Sequence, residues 1–138
     1  MIKKIVKDEY FLVKKSYKFI FGEDDHIIAD LIDTANAHKD ICSGLAAVQI
    51  GYYKRAIVVK IGDQYIPFIN PIIIKRSGKP YRAIEGCLSL AGTRDVKRYQ
   101  SITVSFYDRN GKIKTQTYTG YVAQVIQHEC DHLDGVLI

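Results

Sequence analysis

His128, Glu129 and His132, in the run His128-Glu129-Cys130-Asp131-His132 near the end of the chain, have the side-chain types and spacing of a hydrolytic metal site. Residues four apart on an α-helix lie one above the other on one face, so both imidazoles reach one ion while Glu129 stands beside the open coordination position. The bland alternative is a pair of solvent-facing histidines on a terminal helix. The preceding residues weigh against it. Tyr121, Val122, Val125 and Ile126 recur at helical spacing, with Gly120 as a start and Gly135 as a stop after Leu133.

Two histidine ligands need a third. Six residues follow His132, so a ligand on a further downstream helix, as in thermolysin-like proteases, is not expected and the search turns upstream. Glu85-Gly86-Cys87-Leu88-Ser89 is the best candidate, because Cys87 can supply a thiolate and Gly86 lets backbone approach the ion. A buried free thiol is the default for Cys42 and Cys130. Cys130 lies roughly 200° around the helix from His128, cannot share the ion and is expected in the core. The run Gly44-Leu45-Ala46-Ala47-Val48-Gln49-Ile50-Gly51 offers small residues that admit a close neighbour and one amide, Gln49, able to donate to an oxyanion at the metal.

The elements that must position these groups are legible in outline. From Asp24 to Lys39, Ile27, Ile28, Leu31, Ile32 and Ala35 form one apolar stripe, a helix begun by Asp24 or Asp25. β-Branched runs follow at Ala56 to Ile61, Ile66 to Ile74, Ser101 to Tyr107 and Lys112 to Tyr118. Asp108-Arg109-Asn110-Gly111 joins the last two as a hairpin turn. Helix, strands and then the metal-site helix indicate an α+β fold, with mostly antiparallel strands packed around the C-terminal helix and an N-terminal helix before them.

Composition narrows the class. A chain of 138 residues reads as one domain, 1–138, long enough to hold a core without staples. Three cysteines, an odd number, argue against a disulfide framework and for a reducing compartment. No secretory signal is readable, and no apolar run approaches the ~20 residues of a membrane span, so the expected location is the cytoplasm. A net charge of +5, spread along the chain, reads as a solvated surface. No repeat or low-complexity tract interrupts the sequence.

Taken together, the three segments resemble the peptide deformylase family, whose motifs GxGLAAxQ, EGCLS and HExDH occur in this order. Here they read Cys42-Ser43-Gly44-Leu45-Ala46-Ala47-Val48-Gln49, then Glu85 to Ser89 and His128 to His132 unaltered. The resemblance runs from about Asp24 to the end. It departs at Cys42, where the family usually has Gly, and at Ser43, where an apolar residue is common at the mouth of the substrate pocket. The sequence ends at Ile138, short of the C-terminal extension of many members, so ribosome docking through such an extension is not expected from the resemblance.

The resemblance implies a metal-dependent hydrolase that removes the formyl group from the N-terminal formylmethionine of a nascent peptide and releases formate. Cys87, His128 and His132 would bind the ion, and Glu129 would act as general base and then general acid. Gln49 and the backbone N–H of Leu88 would hold the oxyanion. The peptide-binding set would be Ser43, Gly44, Leu45, Glu85 and Arg94, with Gly44 pairing its backbone with the extended substrate and Arg94 near its far end. Ligand softness allows Zn²⁺ or Fe²⁺. The resemblance implies Fe²⁺, with Zn²⁺, Ni²⁺ or Co²⁺ as occupants of purified protein. Asp131 is expected to pair with Arg98 rather than touch the ion. The rival readings are a metallopeptidase of different substrate range, a paralogue that binds peptide N-termini with weak or no turnover, and nucleic-acid or transient ribosome contact through basic residues, for which no clustered patch is present.

Overall fold

The run Ala56-Ile57-Val58-Val59 sets the architecture, because a strand apolar on both sides must be covered on both faces. In the computed structural model, which describes all of residues 1–138, these residues open strand β2 (Ala56–Ile61) and are fully buried. Strand β2 lies inside a five-stranded antiparallel sheet of order β1-β2-β3-β6-β7. The other members are β1 (Gly44–Ala46), β3 (Gln64–Ser77), β6 (Ser101–Tyr107) and β7 (Ile113–Thr119). Helix α2 (Asp25–Ala37) covers one face and helix α3 (Gly120–Leu133) the other.

Two cores follow from the period-two alternation of strands. Ala56 and Val58 pack with Leu45 against Ile27, Ile28, Leu31 and Ala35 of α2. Ile57 and Val59 pack with Phe68, Ile102, Val104 and Phe106 against Ala123, Val125, Ile126 and Leu133 of α3. The fold is α+β, as expected. The observed β2 and β6 coincide with the expected runs, and β7 forms the expected hairpin with β6. Asp108 accepts hydrogen bonds from the N–H groups of Asn110 and Lys112 there, and Gly111 takes a positive φ of 80°.

Several elements carried no strong signal in sequence. A short helix α1 (Glu9–Leu12) is capped by Asp8. Strand β1 runs into a 3₁₀ turn at Ala47–Ile50. Strands β4 (Tyr81–Glu85) and β5 (Arg94–Arg98) form a separate two-stranded ribbon. Its charged, half-exposed residues hide the alternation that reveals Tyr81, Ala83 and Glu85 on the inner face and Arg82 and Ile84 outside.

Strand β3 runs longer than its apolar stretch and slips register between Ile69 and Ile72. Pro71 has no N–H to offer the ladder at that point. Asn70 takes φ of 49°, and its amide bonds the backbone of Phe19 twice, from Phe19 N–H at 2.9 Å and to Phe19 C=O at 3.1 Å. Asn70→Ala is expected to lower stability by about 2–3 kcal/mol in denaturant unfolding, from lost hydrogen bonds and a left-handed conformation alanine resists. Asn70→Gly, which restores the backbone freedom only, is expected to lose less.

Candidate active site

Helix α3 carries an apolar face and a chemical one on a single element. Ala123, Ile126 and Leu133 are fully buried against the sheet, while His128, Glu129 and His132 lie on the adjoining stripe. Gln127 anchors the helix to the link between β5 and β6: it accepts from the N–H of Tyr99 at 2.9 Å and donates to the carbonyls of Tyr99 and Ala123 at 3.0 Å. The site residues therefore ride on a helix whose rotation and height are set by the core.

Cys87 comes from the loop joining β4 to β5, and the ligand atoms of Cys87, His128 and His132 all lie within 4.8 Å of one another. The Nε2 atoms of the two histidines converge to 3.1 Å. Oε1 of Glu129, beside this cluster, is enclosed without a hydrogen-bonding partner, and such an orphaned buried atom calls for an ion or water. One sulfur and two imidazole nitrogens around a common point fit a tetrahedral metal centre with one position open. Burial alone would raise the Cys87 thiol, but the His128 imidazole and the N–H groups of Leu90 and Ser89 bring it below its ordinary value, favouring the thiolate a metal needs. Burial, followed by the neighbouring His128, pushes His132 down to about 3, which keeps its lone pair free.

Behind His128 stands Glu85. Its carboxylate accepts from His128 Nδ1 at 2.8 Å and from Arg98 Nη2 at 2.7 Å through one oxygen. The other oxygen accepts from Arg98 Nε at 3.0 Å and from Gln124 Nε2 at 2.9 Å. Burial works against this charge, yet His128 and Arg98 hold the carboxyl down at about 2. Arg98 also reaches Asp131 at 2.7 Å, the pairing expected from sequence. The structure thus places Glu85 both in the cavity wall and behind His128, whose tautomer and orientation it fixes.

A cavity of about 200 Å³ opens onto this cluster, walled by Ile41 to Gly44 on one side, Ile84 to Leu88 on the other and α3 below. Glu129 and Gln49 both reach it. Burial pushes the Glu129 carboxyl up to about 7, against the pull of His128, so it can both take and give a proton near neutrality. Gln49 is held by the N–H of Ala46 through Oε1 at 3.0 Å and donates from Nε2 to Ser89 Oγ at 3.2 Å.

The remaining candidates separate. Ser43, Gly44 and Leu88 line the cavity, and Ser43 Oγ meets the Tyr121 hydroxyl at 2.7 Å across its mouth. Leu45 does not line it: alternation along β1 turns its side chain into the core against α2. Arg94 is not part of the wall either, and its guanidinium folds onto the carbonyls of Ala91 and Gly92. Cys42 is buried, with negative φ and its thiol pushed up to about 12 by burial, so it neither strains the backbone nor offers a nucleophile. Cys130 lies outside the ligand cluster and packs at the edge of the core, half-buried rather than enclosed. Sequence reasoning missed Tyr121, Gln124 and Val125 in the cavity wall. Their spacing before His128, at seven, four and three residues, was the signal available.

Comparison with known proteins agrees with this geometry. A family model described as polypeptide deformylase matches residues 2–138. A peptide deformylase of Clostridium beijerinckii is 49% identical over 138 residues, the whole of both chains. One from Carboxydothermus hydrogenoformans is 43% identical over 126 residues, covering 91% of this chain and 81% of its own. Among solved structures, a peptide deformylase from Legionella pneumophila is similar with a TM-score of 0.89 and 35% identity, covering 99% of this chain and 83% of that one. A peptide deformylase from Synechococcus elongatus in complex with actinonin is similar with a TM-score of 0.88 and 32% identity, covering 99% and 75%. With the family matched along nearly its whole length and a metal-binding cluster at the base of its cavity, the chain belongs to the polypeptide deformylase family.

Proposed function

We propose that residues 1–138 act as one catalytic domain in which Cys87, His128 and His132 hold the ion of this metal-dependent deformylase and Glu129 moves the protons. The reaction is hydrolysis of the formyl amide on the N-terminal methionine of a nascent peptide: water adds, the C–N bond breaks, and formate and a free amine leave. The observation that carries the assignment is the convergence of those three ligand atoms, within 4.8 Å, beside the only buried carboxylate of the cluster that lacks an ion-pair partner, Glu129. Its test is formate release from formyl-methionyl peptides by anaerobically purified, iron-loaded protein.

Bound at this set, the ion supplies Lewis acidity toward the attacking water and the formyl oxygen. The protein supplies the rest. Glu129 takes the proton from the water and delivers it to the amine nitrogen as the C–N bond breaks, a role suited to a carboxyl raised to about 7. Gln49 Nε2, with a second N–H beyond its bond to Ser89, and the N–H of Leu88 donate to the oxyanion, each worth about 3 kcal/mol in such sites. The thiolate and imidazole donors suit Fe²⁺ as well as Zn²⁺, and Fe²⁺ is the working ion that the family resemblance supports.

Strand β1 is at the edge of the sheet, paired only with β2, so its outer backbone is free to take an extended peptide at Gly44. Gly44 is also where a side chain could not fit: a Cβ there would stand 2.7 Å from Val125 Cγ1 and 3.0 Å from both Glu129 Oε2 and Val58 O. No helix is long and apolar enough to cross a membrane. Nascent formylated chains in the cytoplasm are the proposed partners.

Glu129→Ala is expected to retain the metal and lose turnover by at least ~100-fold, measured by formate release alongside elemental analysis. Cys87→Ala should instead lower metal content, since two histidines leave the ion under-coordinated; stoichiometric metal held as tightly as in the parent would place the third ligand elsewhere. Gly44→Ala should fold yet lose kcat by roughly 10-fold or more, because the methyl displaces Glu129 from its proton-transfer position. Parent-like kcat for Gly44→Ala would show that the crowding is relieved without moving Glu129.

A further inference from the structure

Gln124 occupies two places at once. It lines the peptide cavity on the first turns of α3, one helical turn before His128, and its amide nitrogen bonds Glu85 Oε2 at 2.9 Å. A carboxylate offers about four acceptor positions. Glu85 fills them with two bonds from Arg98, one from His128 Nδ1 and one from Gln124. Because an ionised carboxylate only accepts, the Gln124 amide must present its nitrogen to Glu85 and therefore its oxygen to the Tyr81 hydroxyl, which donates at 3.0 Å. Tyr81 sits on the inner face of β4, four residues before Glu85, so one strand supplies both the carboxylate and the group that orients its partner.

We propose that Gln124, oriented by Tyr81, is a positioning residue for the metal centre: it completes the hydrogen-bond cage that stops the Glu85 carboxylate from turning, and through Glu85 it fixes the ring of His128. The inference rests on the assignment of Cys87, His128 and His132 as ligands. Without Gln124, Glu85 Oε2 keeps only the bond to Arg98 Nε and faces the cavity, where water competes for it. Arg98 still bridges both oxygens, but the carboxylate loses the fourth bond that completes its restraint, and the His128 ring is left with a less firmly held acceptor to aim Nε2 at the ion. The same residue forms part of the cavity wall, so a molecule in the cavity would meet a group that also bears on the ligand.

Two substitutions test this. Gln124→Leu keeps the size and removes both hydrogen bonds, and Tyr81→Phe removes only the hydroxyl that orients the amide. Direct ligand partners typically carry 10- to 100-fold in metal affinity, so Gln124→Leu, one bond further out, is expected to weaken Co²⁺ binding by roughly 3- to 10-fold in chelator competition. It should also shift the visible absorption of the Co²⁺ protein. Tyr81→Phe should act in the same direction and less, and the double variant should be no worse than Gln124→Leu, as two residues acting through one bond require. Parent-like Co²⁺ affinity and spectrum in both single variants, with changes confined to KM for formyl-methionyl peptides, would overturn the proposal and leave Gln124 as a wall of the cavity. Should Gln124→Leu fail to fold, Tyr81→Phe carries the test by the same two readouts. Cys87→Ala separates the premises: loss of Co²⁺ there with parent-like Gln124→Leu and Tyr81→Phe sinks this inference alone, while retention of Co²⁺ there overturns the ligand assignment and the inference with it.

Discussion

Glu85 is the point on which the site's arrangement depends, because an ionised carboxylate removed from water costs several kcal/mol unless every acceptor position is filled. Here the demand is met by three residues from two elements: Arg98 from β5, and His128 and Gln124 from α3. The β4–β5 ribbon belongs to no larger sheet. Its attachment to α3 runs through this carboxylate and through Arg98, which continues to Asp131 on the same helix. The bonds that neutralise a buried charge are therefore also the bonds that bring the Cys87 loop over the two histidines. Removing one partner would leave the other charges buried and uncompensated, which is why such a network, modest as a source of net stability, is a strong determinant of position.

Helix α3 shows how one element serves core and chemistry together. Its sheet-facing residues fix the axis, Gln127 fixes the height by bonding Tyr99, and the neighbouring stripe carries His128, Glu129 and His132. Burial then gives each titratable group a different character. Glu85, satisfied on all sides, stays ionised; Glu129, enclosed with an oxygen unpartnered, is raised toward neutrality. Two carboxylates within one site are thus separated into a holder of position and a mover of protons by their environments. The opposite wall is as economical: β1 has a free outer edge and, at Gly44, no side chain, which leaves room for Glu129 and for an incoming backbone.

The sequence by itself determined the helix-borne pair His128 and His132 with Glu129 between them, because helical periodicity is a local rule that four residues suffice to state. It also determined the continuous apolar strand β2, the β6–β7 hairpin and helix α2, whose patterns are each local in the chain. Tertiary structure alone decided the rest. Leu45 sits in a motif and Arg94 follows one, yet strand alternation turns the first into the core and local carbonyls hold the second away from the cavity wall. Glu85 bonds a histidine 43 residues away, Ser43 a tyrosine 78 away, and Tyr81 a glutamine 43 away. No local pattern encodes those partners, since each depends on where the β4–β5 ribbon and the edge strand β1 come to rest against α3, and that placement is set by packing over the whole chain.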